Sequence, residues 1–497
     1  MQKTCTKCSS SFHPTEKDQS FYSRLKVPPP QLCHLCREQR RITFRNEKNL
    51  YLRHCALCKK QMVSIYSPDK PYHALCAPCF WSDKNDPHET QRAIDFTRPF
   101  FEQFDELLKD TYLLTLFSTN CQNAEYVNQE TDSKNCYMNA GGHFNEDCYY
   151  NMYSIWGKNN VDNYWIIKSE LLYECINCEK CFNSTYLQDC QTCSDCHYCK
   201  DCQACQNCFG CFGLRHKNYH FFNEKLSPEE YKRKIQTINN PEQKAKEHFL
   251  KYPHRPNRVI NCENSTGDYL YECKDLEECY LFENSRDIKY GYVGLGVKDS
   301  MDVSSFGWGE VNYNVASSIE LINCIAVSST VHLNFSQYCF CCFNSSDIFG
   351  CVGLNHKKYC ILNKQYDKEE YEVLKKKLID HMLKTGEYGE FFPPEISPFG
   401  YNETVAYEYF QLTKEQVDSL NWKWKDPEKK DYLPPDPENH IYTCSSCSKN
   451  YKLIPQELKF YSHQNLPLPL LCPTCRHHAR LAKRNPHKNF DRTCAKC

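Results

Sequence analysis

Through the middle of the chain, polar and small residues recur every twelve positions. From Asn123 the series runs Asn123, Asn135, Asp147, Asn159, Leu171, Asn183, Asp195, Asn207, with seven of the eight positions Asn or Asp. A second series reads Asp275, Asp287, Asp299, Val311, Asn323, Phe335, Asp347. Its fifth positions, Cys279, Gly291, Val303, Val315, Val327, Cys339 and Cys351, are all small or apolar. Compact residues that can point inward, alternating with Asn or Asp that tolerate left-handed backbone, predict short stacked strands joined at corners. The expected fold is mostly β, a Cys-rich β-solenoid in two arrays with capping helices. Spacing alone admits coils of 12 or of 24 residues.

The two arrays are copies. Phe209-Gly-Cys-Phe-Gly-Leu-Arg-His-Lys-Asn-Tyr219 matches Phe349-Gly-Cys-Val-Gly-Leu-Asn-His-Lys-Lys-Tyr359 at an offset of 140. Each continues into a helix expected from about Pro228 and Lys368, placed to cover the last strand. An amphipathic stretch over residues 100–108 predicts a further helix, expected at the start of the solenoid. His216 and His356 fall at matching places without an adjoining acid or nucleophile, which favours corner histidines over catalytic ones. The expected domains are 1–54, a first zinc module; 55–82, a second ribbon; 83–120, a helical cap; 121–222, the first array; 223–260, a helical insertion; 261–365, the second array; 366–440, helices and a Pro-rich linker with Lys429, Lys430 and Pro434; and 441–497, a third zinc module with an incomplete ribbon.

The chain holds 37 cysteines, and their spacing divides them into two kinds. Residues 189–212 carry Cys190, Cys193, Cys196, Cys199, Cys202, Cys205, Cys208 and Cys211, a harmonic of the twelve-residue period. Inside a narrow coil cysteine is a compact apolar filler, so packing is favoured there, with zinc held by part of the run as the alternative. An iron–sulfur reading of Cys175, Cys178 and Cys181 lacks the fourth cysteine of the ferredoxin pattern, because position 185 is Thr.

The other kind forms C-x2-C pairs. Cys5 and Cys8 are followed by Cys33 and Cys36, Cys55 and Cys58 by Cys76 and Cys79, and Cys444 and Cys447 by Cys472 and Cys475. Two thiolate pairs across a short loop are the preferred donors for tetrahedral Zn2+, so three zinc ions are expected. Sequential pairing is favoured, with Cys5/Cys8 cross-braced to Cys55/Cys58 as the alternative. Residues 5–58 and 444–497 share 19 identities in 54 positions, among them Phe21-Tyr22-Ser23 with Phe460-Tyr461-Ser462. Cys494 and Cys497 align with Cys55 and Cys58, a half-site expected to be truncated or completed by another chain.

Charge adds one feature. Residues 1–60 hold 13 Lys/Arg against 4 Asp/Glu, and residues 440–497 hold 10 against 2, which leaves −18 on the rest of a chain whose net charge is −1. Arg37, Arg41 and Arg45 recur as Arg476, Arg480 and Arg484, spaced to lie on one helical face. An exposed face gripping phosphate is one reading, and a face balancing an anionic Zn(Cys)4 centre is the other. No apolar leader and no run of 18 apolar residues are present, so no membrane partner is expected and the chain reads as cytoplasmic with reduced thiols. Gly-rich phosphate loop, G-x-S-x-G and H-E-x-x-H motifs are all lacking. The expected function is a non-enzymatic zinc-binding scaffold whose basic ends bind nucleic acid, with protein assembly as one alternative and an enzyme site on the solenoid face as another.

The terminal pattern of Cys5, Cys8, Phe12, Gln19-Ser-Phe21-Tyr22, Pro30, Cys33, Cys36-Arg37 and Arg40-Arg41 resembles the probable zinc-ribbon (treble-clef-like) domain family. The whole chain resembles an uncharacterised multi-zinc family of small-genome uncultured bacteria, through Phe349-Gly-Cys-Val-Gly-Leu354, Tyr359-Cys-Ile-Leu-Asn363, Tyr388-Gly-Glu-Phe-Phe392, Tyr401-Asn-Glu-Thr-Val-Ala406 and Leu466-Pro-Leu-Pro469. That resemblance implies the architecture and no activity. Some relatives carry a CaiB/BaiF-type CoA-transferase label, but the nucleotide-binding α/β pattern of those enzymes is not found here.

Overall fold

A computed structural model describes residues 2–427, 434–491 and 493, apart from 305, 306, 308 and 320. Lys429 and Lys430 of the expected linker, and the half-site Cys494 and Cys497, lie outside the described residues. The chain packs into two compact units, one of residues 1–116, 256–426 and 486–497, the other of residues 117–255 and 427–485. These units cut across the linear order expected from the sequence. The first zinc module belongs with the second array, and the third module with the first array.

Both arrays are β-solenoids, and the coil is 12 residues. Tyr137 pairs in parallel with Tyr149, Tyr149 with Val161, and Val161 with Tyr173, each twelve residues on. The same register runs through the second array, as in Tyr280 with Tyr292 and Ile288 with Ser300. Hydrogen bonds follow it in both directions. Lys134 donates to the Asn145 carbonyl at 2.8 Å, and Asn135 donates to that of Gln122 at 2.9 Å.

A finer period lies beneath the twelve. Asp147, Tyr150, Tyr153, Trp156 and Asn159 have φ of 51, 59, 56, 56 and 49°. Every third residue therefore turns a left-handed corner, four to a coil, and the residue after each corner points inward. Asn and Asp suit such corners, and they stack as a ladder where the sequence repeats them: the Asn183 amide donates to Asp195 at 2.7 Å. The other three corners hold Asp162, Asn177 and Asp189 but also Tyr150, Trp156, Lys168 and Glu174, which accept a conformation that L-residues avoid. Their amides donate to the preceding coil, as Trp156 does to the His143 carbonyl at 2.9 Å.

The interior of the first array changes character along its length. Its early coils bury polar side chains in adjoining columns, among them Glu130, Ser133, Asn145, Asn151 and Asn163. The Asn145 amide donates to Glu130 Oε1 at 2.6 Å and Ser133 Oγ donates to it at 2.9 Å. A Cβ on Gly142 would stand 2.4 Å from Glu130 Oε2, so a side chain there would displace this carboxyl. From Cys175 onward the filling is mostly thiol, with Leu187 and Ser184 among it. Each Sγ points at the carbonyl two residues back, and most point also at one nine residues on; Cys190, for example, lies 3.4 Å from the Gln188 oxygen and 3.6 Å from that of Cys199. The thiols are hydrogen-bonded core, as packing required.

Helices Pro228–Thr237 and Lys368–Thr385 follow the last coils, as expected. Tyr231 packs edge-on to Tyr219, and Tyr371 sits 5.6 Å from Tyr359. Helix Phe100–Asp110 corrects an expectation. It packs on late coils of the second array, where Phe100 meets Tyr338 and Phe349 at 5.4 and 5.6 Å. Glu387 caps its first turn by accepting from the Phe100 and Phe101 amides. Its apolar stripe identified a buried helix but carried no information about which array it would cover. No helix among the described residues is long and apolar enough to cross a membrane.

Candidate metal centres and the arginine clasps

In the first and third modules one knuckle presents the first cysteine pair, and the second pair opens a helix. Cys33 is the N-cap of helix His34–Ile42, and Cys472 is the N-cap of helix Pro473–Leu481. In the ribbon between them in sequence, Cys76 caps the short helix Ala77–Phe80. A helix N-terminus offers amide donors and partial positive charge to a thiolate.

The four Sγ atoms of each set lie within 4.8 Å of one another: Cys5, Cys8, Cys33 and Cys36; Cys55, Cys58, Cys76 and Cys79; Cys444, Cys447, Cys472 and Cys475. Pairing is thus sequential rather than cross-braced. Cys8 and Cys33 Sγ are 3.7 Å apart, Cys58 and Cys76 3.8 Å, and Cys447 and Cys472 3.7 Å. A tetrahedral ion with metal–sulfur bonds of about 2.3 Å requires sulfur–sulfur edges of about 3.8 Å. A disulfide would bring the sulfurs to about 2.05 Å, and the described cysteines are all free. The donor sets therefore fit a tetrahedral metal ion. Burial acts to raise the Cys55 and Cys444 thiols, but backbone N–H groups, those of Cys58 and Cys76 at one site and of Cys447 and Cys472 at the other, outweigh it and bring each to about 6. Among the described residues no other group of three or more such ligands converges, so the interior cysteines form no comparable site.

The arginine ladders overturn the expectation of exposure. Arg37, Arg41, Arg476 and Arg480 are 4, 0, 3 and 1 % exposed. Arg37 donates through Nε to Asp302 Oδ2 at 2.5 Å and through a second nitrogen to Oδ1 at 3.1 Å. Arg41 donates to Ser304 Oγ at 3.0 Å and stands 3.9 Å from Asp302. In the other unit Arg476 and Arg480 each lie 3.1 Å from Asp162, by distance ion pairs whose angles fall outside hydrogen-bond geometry. Arg476 also reaches Glu457 at 3.2 Å, and Arg480 reaches Glu174 at 2.7 Å. Burial pulls Arg37 and Arg476 toward neutrality, and the facing aspartates reverse that. Arg45 and Arg484 lie just beyond the helices, which end at Ile42 and Leu481. Arg45 is buried and donates to the Ser304 carbonyl at 3.2 Å, whereas Arg484 lies over the Tyr164 ring at 4.2 Å.

The two dockings are one design used twice. Asp162 and Asp302 are 140 residues apart, as are Tyr150 and Tyr290, and Tyr173 and Tyr313. Arg37 stacks over Tyr290 at 5.4 Å and Arg476 over Tyr150 at 5.0 Å. Tyr22 meets Tyr313 edge-on at 5.5 Å, and Tyr461 meets Tyr173 at 5.6 Å. Each basic module closes on an acidic corner of its own array. The sequence signal was the coincidence of the 140-residue offset between the arrays with the 439-residue offset between residues 5–58 and 444–497, visible only when both are read together.

His216 and His356 occupy corners, with φ of 53 and 52°. No family model and no curated protein matches the chain.

Proposed function

We propose that this protein is a non-enzymatic, zinc-dependent scaffold for protein assembly, in which three Zn2+ ions shape the modules that clasp two rigid solenoids. The observation that carries the reading is the burial of Arg37, Arg41, Arg476 and Arg480 against Asp302 and Asp162. Those arginines, together with the basic charge of the two ends, were the sequence support for a nucleic-acid partner, and the arginines are engaged within the chain. Zinc is favoured because four thiolates at tetrahedral spacing are its usual structural set, and such a set contributes folding free energy directly. Repeat scaffolds commonly bind through their extended surfaces.

The test is a mobility shift with RNA and DNA at 50 and 200 mM salt, beside capture of protein partners from the native source. Phosphate gripping weakens steeply over that salt range. The reading expects no such salt-steep binding, and expects partner capture to be lost on chelation. Tight, salt-steep binding that disappears when exposed Lys and Arg are neutralised would return the nucleic-acid reading to first place.

A further inference from the structure

Segment 486–491 belongs to the unit that contains the second array. Its His487 ring is enclosed by three tyrosines. The centroid distances are 5.3 Å to Tyr280, 4.2 Å to Tyr292 and 4.3 Å to Tyr409, with the Tyr280 and Tyr409 rings stacked on it at 23 and 27°. The Tyr292 and Tyr409 hydroxyls bond to each other at 2.8 Å, which fixes two walls of the enclosure. Glu38 Oε1 stands 3.6 Å from His487 Nδ1.

Beside the ring lies a cavity of about 180 Å3, lined by His34, Glu38, Glu278, Tyr280, Tyr290 and Lys488 among others. His487 and Lys488 come from the segment itself. Without them, the basic group of the wall is His34, which pairs with Glu278 at 3.0 Å and stacks on Tyr290 at 4.5 Å. The fixed wall is thus aromatic faces and carboxylates, the composition that holds organic cations through ring quadrupoles and charge.

We propose that Tyr280, Tyr292, Tyr409 and Glu38 form a cation-binding cage for a basic side chain or a small organic cation, and that His487 is its resident occupant. A three-sided tyrosine enclosure with a carboxylate at its edge is more than a ring's burial requires. An apolar side chain would fill the same volume without using Glu38. The segment therefore acts as a strap whose anchor an external cation can replace.

The test uses the full chain at pH 6, where imidazole is largely protonated. His487→Ala should bind imidazolium saturably, at least tenfold more tightly than thiazole, which has the same size and no charge. The parent should bind imidazolium at least tenfold more weakly than the variant, and adding Glu38→Gln to His487→Ala should cost at least tenfold. No saturable binding by His487→Ala, or equal binding of thiazole, overturns the proposal. Hydrogen exchange of residues 486–491 gives a second reading that does not depend on the alanine variant. His487→Arg should keep the parent's protection and His487→Leu should lose at least tenfold; equal protection by leucine means simple packing and overturns the cage.

Discussion

Replacing Asp302 by Asn removes the carboxylate shared by the buried guanidinium groups of Arg37 and Arg41 while keeping the side chain's size. Arg37 keeps the Leu32 carbonyl at 2.7 Å, and Arg41 keeps Ser304 Oγ at 3.0 Å. Neither retained partner carries charge. Breaking a buried ion pair from one side costs about 3–5 kcal/mol, because the other charge stays buried without compensation. The equivalent change, Asp162→Asn, leaves Arg476 with Glu457 at 3.2 Å and Arg480 with Glu174 at 2.7 Å. Asp302→Asn should therefore cost about 5 kcal/mol and Asp162→Asn about 3 kcal/mol or less. The loss is local, so the assay is native-state hydrogen exchange of the two helices, residues 34–42 and 473–481. At about 1.4 kcal/mol per decade, protection of the first helix should fall by about three to four orders of magnitude and that of the second by about two or less. Zinc transfer to a chelator should accelerate in the same order. A loss below about 1 kcal/mol for Asp302→Asn, or a larger loss for Asp162→Asn, would refute the clasp as the element that seats each module.

Two further outcomes follow from the interior of the first array. Burial raises Glu130 to about 7, against bonds from Asn145 and Ser133 that pull it down. The folded chain then holds this proton more tightly than the unfolded chain, so its contribution is greatest below about pH 4.5 and is lost as pH rises to about 7, a fall of about 3 kcal/mol. Glu130→Gln should remove that fall in urea titrations between pH 5 and pH 8; an unchanged pH dependence contradicts the assignment. Thiol labelling with peptide mapping should show the twelve cysteines of the three sets reacting on chelation. Cys190, Cys193, Cys196, Cys199, Cys202, Cys205, Cys208 and Cys211 should wait for unfolding, and early labelling of this run would show that the solenoid core opens.

Much of the architecture was legible because repetition amplifies weak signals. One Asn at a corner means little, but Asn123, Asn135, Asp147 and Asn159 in register define a coil edge. The three-residue period escaped because the other three corner columns mix Asn and Asp, as at Asp162, Asn177 and Asp189, with Tyr, Trp, Lys and Glu, residues with no preference for left-handed backbone. The metal sets were legible from pair spacing, since the chemistry of four thiolates is written in the cysteines alone. The clasp was not. Arg37 and Arg41 make the same ladder whether they face water or Asp302, and no local pattern distinguishes the two. Only the matching of Asp162 with Asp302 and of Tyr150 with Tyr290 carries that information, and it becomes meaningful once the modules are known to dock there. The His487 cage was invisible for a related reason, because its walls come from residues 280, 292 and 409, which no spacing rule connects.

The measurement that bears most directly on the account is elemental analysis of the purified full chain. Three zinc ions per chain, falling to two when Cys444 and Cys447 are both replaced by serine, is the predicted result. Fewer than two zinc ions per parent chain, or iron with the absorption of an iron–sulfur cluster, would contradict it.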